Sequence, residues 1–119
     1  MKVGAAMQSL KIADRLFSLV LSGEKTHTIR WREARIRPGL MRYACDGDQR
    51  KTVVVLVTRC TDVPLSQAAA LVGMQDIWPD AIMLSGMREH YPDIELDDIV
   101  QVVEHLTPQR TAVEAGVSR

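Results

Sequence analysis

Residues 52–60 read Thr-Val-Val-Val-Leu-Val-Thr-Arg-Cys, a β-branched run that packs on a pleated surface and makes the clearest strand in the chain. Such a strand needs neighbours, because its backbone N–H and C=O groups must find ladder partners. Asp46-Gly47-Asp48, just ahead of it, is a hairpin signal. Residues 40–45 are therefore expected to form the antiparallel partner strand, entered through the turn at Arg37-Pro38-Gly39. The valine run and the apolar stretch 16–21 both fall far short of the roughly 20 residues that cross a bilayer. The first seven residues lack the apolar stretch of a signal peptide. The chain is expected in the cytoplasm, away from any membrane.

Other segments arrange themselves around that hairpin. Residues 9–12 suit a first short strand, and residues 13–21 place Leu16, Phe17, Val20 and Leu21 on one helical face before Ser22-Gly23 ends the helix. Residues 26–32 alternate as a strand, with Ile29 and Trp31 toward a core and Thr28, Arg30 and Arg32 on the other side. Residues 65–72 are alanine-rich and helical after Pro64. A further helix is expected from Asp80, acting as its cap, to about His90, ended by Tyr91-Pro92. Residues 99–106 close the order as a last strand. Strand, helix, three strands, helices and a strand make an α+β chain with a mostly antiparallel or mixed sheet. With about five strands in so short a chain, a small curled sheet or barrel closes its edges most simply. A length of 119 residues is that of one ordinary domain, so residues 1–108 are expected as a single domain. Residues 109–119 are small and polar, as a flexible tail is.

Net charge is zero, which argues against coating nucleic acid by bulk attraction. Its distribution is uneven. Residues 24–51 hold eight bases against four acids, whereas residues 62–104 hold nine acids and the single base Arg88. The basic half can face a phosphate or nucleotide, or pair with the acidic half. Cys45 and Cys60 are too few and too distant for a zinc knuckle or redox pair, and are expected as free thiols. His27, His90 and His105 have no metal-ligand spacing, so no metal and no organic cofactor is implied.

Chemistry concentrates in Gly23-Glu24-Lys25-Thr26-His27-Thr28-Ile29-Arg30. A lysine does base work only when its pKa is lowered toward neutrality from about 10.4, by burial or by a neighbouring cation. Arg30 can supply that cation or hold an oxyanion. Residues three apart on a regular strand face opposite ways, so Lys25 meets Thr28 only through a fold-back of the turn. The plain alternatives stand beside these. Lys25 pairs with Glu24 or Glu33 at the surface, Thr28 is a strand former, and Arg30 is an ion-pair partner for the acidic half.

Residues 21–30 resemble the G-x-K-x-x-T-x-R signature of the ASCH domain, a PUA-like barrel family. Arg37-Pro38-Gly39, Tyr91-Pro92 and the strand 99–106 are similar to later landmarks of that family in the same order, so the resemblance runs from about Leu10 to Leu106. It implies a small PUA-like barrel flanked by short helices. It also implies the activity of the small bacterial N(4)-acetylcytidine amidohydrolases, which remove an acyl group from the exocyclic amine of cytidine with a Lys, a Thr and a Glu. The Lys and Thr fall on Lys25 as base and Thr28 as nucleophile. The helix 65–73, where the Glu belongs, has no acid, which leaves Asp76, Asp80 and Glu89 for its place. Glu24, Arg30, Trp31 and Trp78 are the candidates for holding a small nucleoside substrate. Two other readings go with the family: an RNA- or nucleotide-binding module without chemistry, and RNA cleavage.

Overall fold

The computed structural model describes residues 7–114. In chain order these form β1 (Gln8–Ile12), α1 (Asp14–Ser22), β2 (His27–Arg30), β3 (Gly39–Cys45), β4 (Asp48–Pro64), α2 (Leu65–Leu71), α3 (Asp80–Arg88), β5 (Ile99–His105) and α4 (Pro108–Glu114). The fold is α+β. Its strands hydrogen-bond in the order β1-β3-β4-β5-β2. The sheet is mixed, since β1 runs parallel to β3 from Gln8 opposite Met41 to Ile12 opposite Cys45. β3 and β4 are antiparallel, joined across Asp46-Gly47 as the hairpin signal predicts. The valine run is only the middle of β4, which extends over 17 residues.

The chain divides into two compact units. Among the described residues the first comprises 7–26, 36–59 and 104–114, and the second 27–35 and 60–103. Alternation along β3 buries Met41, Tyr43 and Cys45 in the first unit, and β4 adds Val55 and Val57. α1 buries Phe17 and Val20, but Leu21, expected on the same face, is 45% exposed. Its helix is stopped as the sequence predicts. Gly23 takes a left-handed φ of 88°, and a side chain there would meet Thr107 Cγ2 at 3.1 Å. Both cysteines are free, and Cys45 Sγ donates to Asp14 Oδ1.

Polar groups in this unit are buried with partners. His105 and Tyr43 bond between Nε2 and the hydroxyl at 2.9 Å, while Nδ1 of His105 lies 2.8 Å from the Leu106 carbonyl. A carbonyl only accepts, so Nδ1 carries the proton and Nε2 accepts from Tyr43. Where the small, polar composition after Pro108 predicts a flexible tail, residues 108–114 are helical. Thr111 on that helix is fully buried and its Oγ1 accepts the Leu56 N–H at 2.8 Å. A hydroxyl that answers an otherwise idle strand N–H can be buried at little cost. Residues 115–119 lie outside the described part.

The second unit has its own apolar cluster of Leu65, Ala68, Ala69, Met83, Met87, Ile94, Val100 and Val102. α2 and α3 contribute three and two of these respectively. Asp80 begins α3 but is not its cap; Pro79 holds that position, with no side-chain cap bond. Among the described residues no helix is long and apolar enough to cross a membrane.

Candidate functional site

The motif at residues 23–30 straddles the division of the chain. Lys25 closes the end of α1 in the first unit, its N–H donating to the Leu19 carbonyl at 3.0 Å. Its side chain is half-buried, and its charge helps to hold the His105 pKa down, after the larger effect of burial. Glu24 is exposed and accepts the Ser22 hydroxyl at 2.9 Å, so its visible work is local. Thr28 belongs to the second unit, which begins at His27.

Thr28 is buried, at 5% exposure, on β2. Ile29 and Trp31 pack against the apolar cluster as expected, each half-buried, but the opposite face of the strand is not an outer one: Thr28 on it is the more deeply buried. Thr28 tolerates burial because its Oγ1 accepts from Nε of Arg30 at 3.0 Å. Strand neighbours two apart share a face, which is why i and i+2 meet here. NH1 of Arg30 in turn lies 3.4 Å from Oε1 of Glu33, and Oε2 of Glu33 accepts the Tyr91 hydroxyl. Tyr91–Glu33–Arg30–Thr28 is thus a continuous polar chain within one unit.

Each link has an electrostatic sense. Burial first, then the hydrogen bond and charge of Glu33, push the Tyr91 pKa up to about 12, against the opposite pull of Arg30. Tyr91 therefore remains a donor at neutral pH. Glu33 receives a proton donor on one oxygen and a cation on the other. The Arg30 guanidinium beside Thr28 favours negative charge developing on the hydroxyl oxygen, and leaves the hydroxyl proton to be passed to a base.

The strand expected to run to residue 32 ends at Arg30 because the chain turns. Arg32 has φ 58°, the one non-glycine in the left-handed region among the described residues. Its guanidinium carbon sits 4.3 Å above the centre of the Trp31 ring, and Trp31 meets Tyr91 edge-on with ring centres 6.0 Å apart. Trp78 is half-buried, packs against the apolar cluster and meets His27 edge-on at 5.4 Å. Both tryptophans thus have structural employment. Arg30, Arg32, Glu33, Arg35, Ile99 and Gln101 line a small cavity of about 120 Å³ in this unit.

The candidate acids are dispersed. Asp76 is exposed in the turn before α3, Asp80 starts that helix, and Glu89 stands exposed at its C-terminal cap. Asp80 and Glu89 are nine residues apart, roughly 13 Å along a helix axis, so one site cannot use both. Glu33, the ion-pair partner of Arg30, and Tyr91, which donates to Glu33, are the residues that sequence reasoning missed. The opposite charges of Arg30 and Glu33 were a readable signal for one of them; the 58 residues between Glu33 and Tyr91 hid the other. No group of three or more His, Cys, Asp or Glu side chains converges among the described residues. Comparison with protein-family models, with curated proteins and with solved structures yields no match.

Proposed function

We propose that this chain is an amidohydrolase of the ASCH type, on a PUA-like barrel, that removes an acyl group from the exocyclic amine of a modified cytidine-type nucleoside in the cytoplasm. The observation that carries the reading is the buried Thr28 hydroxyl accepting a 3.0 Å bond from Arg30. Thr28 is the nucleophile. Its Oγ attacks the acyl carbon, its proton passes to the base, the role the motif gives to Lys25 once its ammonium has released a proton, and the carbon–N4 bond breaks as a proton moves from the base to the departing exocyclic amine. Cytidine leaves, and the acyl ester on Thr28 is cleaved by water to the free acid and the original hydroxyl. Arg30 stabilises charge on Oγ as attack begins, an electrostatic service present before the reaction starts. The base role of Lys25 rests on its place in the motif, three residues before Thr28. Asp76 and Glu89 are the candidates for the remaining acid.

Hydrolysis of N(4)-acetylcytidine to cytidine, followed by the absorbance change, tests this. Wild-type turnover that is lost in both Lys25→Ala and Thr28→Ala, with both proteins folded, supports it; Asp76→Asn and Glu89→Gln then identify the acid. Full activity in Thr28→Ala overturns it.

A further inference from the structure

The cavity lined by Arg30, Arg32, Arg35, Glu33, Ile99 and Gln101 has three guanidiniums against one carboxylate, and the hydrolysis proposed above employs Arg30 alone and leaves Arg32 and Arg35 without a role. We infer that this cavity binds a phosphate monoester, so that the ligand is a pyrimidine nucleotide rather than a free nucleoside. The choice of a pyrimidine probe rests on the proposed function; the oxyanion site rests on the cavity alone.

Three features support it. Both oxygens of Glu33 are engaged, one with Arg30 and one with the Tyr91 hydroxyl, which turns its charge toward partners already in place. Arg35 bonds Asp62 through NH1 and NH2, each at 2.8 Å, in a solvent-exposed pair; exposed pairs of this kind are weak and exchange readily for a better anion. Arg32 lies over the face of Trp31, and stacking uses the guanidinium face while leaving its in-plane N–H fork for a planar or tetrahedral oxyanion. The backbone at Arg32 adds a separate argument. A turn that merely needed φ 58° would be served by Gly or Asn, whereas here an arginine holds it beside the cavity, and strained non-glycine positions concentrate at ligand clamps. Gln101, buried at 5%, and Ile99 form the cavity's β5 wall, a surface suited to the apolar and amide edges of a small polar ligand.

Isothermal titration of the whole chain with cytidine 5′-monophosphate and with cytidine, at fixed ionic strength, measures the site without any turnover. The nucleotide is expected to bind on the order of tenfold or more tightly than the nucleoside, the size of one or two charge-assisted hydrogen bonds. Arg32→Gly removes the fork and relieves the backbone, so its unfolding midpoint stays level or rises while the preference for the nucleotide collapses. Equal binding of nucleotide and nucleoside, or a preference that survives in folded Arg32→Gly, overturns the inference. Inorganic phosphate that binds as tightly as the nucleotide assigns the site to free phosphate, and a short RNA that binds where the mononucleotide does not assigns it to a nucleic-acid backbone; either overturns the nucleotide assignment. A protein that binds the nucleotide but leaves N(4)-acetylcytidine intact refutes the proposed hydrolysis and leaves the anion site standing.

Discussion

Two polar constellations, one in each unit, show opposite uses of a tyrosine hydroxyl. In the first unit Tyr43 is fully buried and gives its proton to neutral His105, whose other nitrogen is answered by a backbone carbonyl. In the second, Tyr91 is half-buried and gives its proton to Glu33, from which a guanidinium leads to Thr28. The first is neutral and closed: every group has an internal partner, which is how buried polar atoms are tolerated in a core. The second is charged and reaches an accessible cavity. A neutral pair stabilises; under the proposed function, the charged chain ending on a hydroxyl is the one placed to serve chemistry.

Breaking the closed pair has the largest expected effect. Tyr43→Ala removes a fully buried ring and should cost about 3–5 kcal/mol in urea unfolding. Tyr43→Phe leaves the His105 nitrogen without its donor and should cost about 1–3 kcal/mol. If Tyr43→Phe is neutral, the pair is not a stabilising element.

The same pair sets a pH dependence. Burial holds the His105 pKa below its ordinary 6.5, with the charge of Lys25 acting in the same direction and the Leu106 carbonyl opposing. The unfolded chain therefore takes up a proton near pH 6.5 that the folded chain refuses until a lower pH. Stability contributed by neutral His105 is complete above about 6.5 and falls as pH drops toward the folded value, with a slope of at most about 1.4 kcal/mol per pH unit for one proton. Unfolding at pH 7.5 and 5.5 checks this, and His105→Gln should remove the slope.

Glu33→Gln sharpens the other side. Losing its negative charge should lower the Tyr91 pKa from about 12 only part of the way toward 10, since burial is the larger cause and remains, read by tyrosinate absorbance with Tyr91→Phe assigning the signal. Its stability change should be under about 1 kcal/mol, since the ion pair with Arg30 is partly exposed. In the hydrolysis assay, turnover in Glu33→Gln should fall while binding of the nucleoside holds, because Arg30 loses its orientation rather than its charge. The smallest effect is expected for Arg35→Ala, whose exposed pair with Asp62 should leave the urea midpoint almost unchanged and make no difference at all in high salt.

By itself the sequence determined most of the elements, α4 excepted. β-branched runs, a hairpin dipeptide, a glycine after α1 and a proline before α3 are local signals, and the strands and helices formed where these placed them, because backbone sterics act within a few residues. It also marked residues 23–30 as unusual. Long-range partners were decided by the tertiary structure. Thr28 became the buried face of β2 because Arg30 answers its hydroxyl, Thr111 turned an expected tail into a packed helix by meeting the Leu56 N–H, and Glu33 found Tyr91 across 58 residues. Burial of a polar group depends on what lies opposite it in space, and a linear pattern of apolar and polar letters carries no record of that.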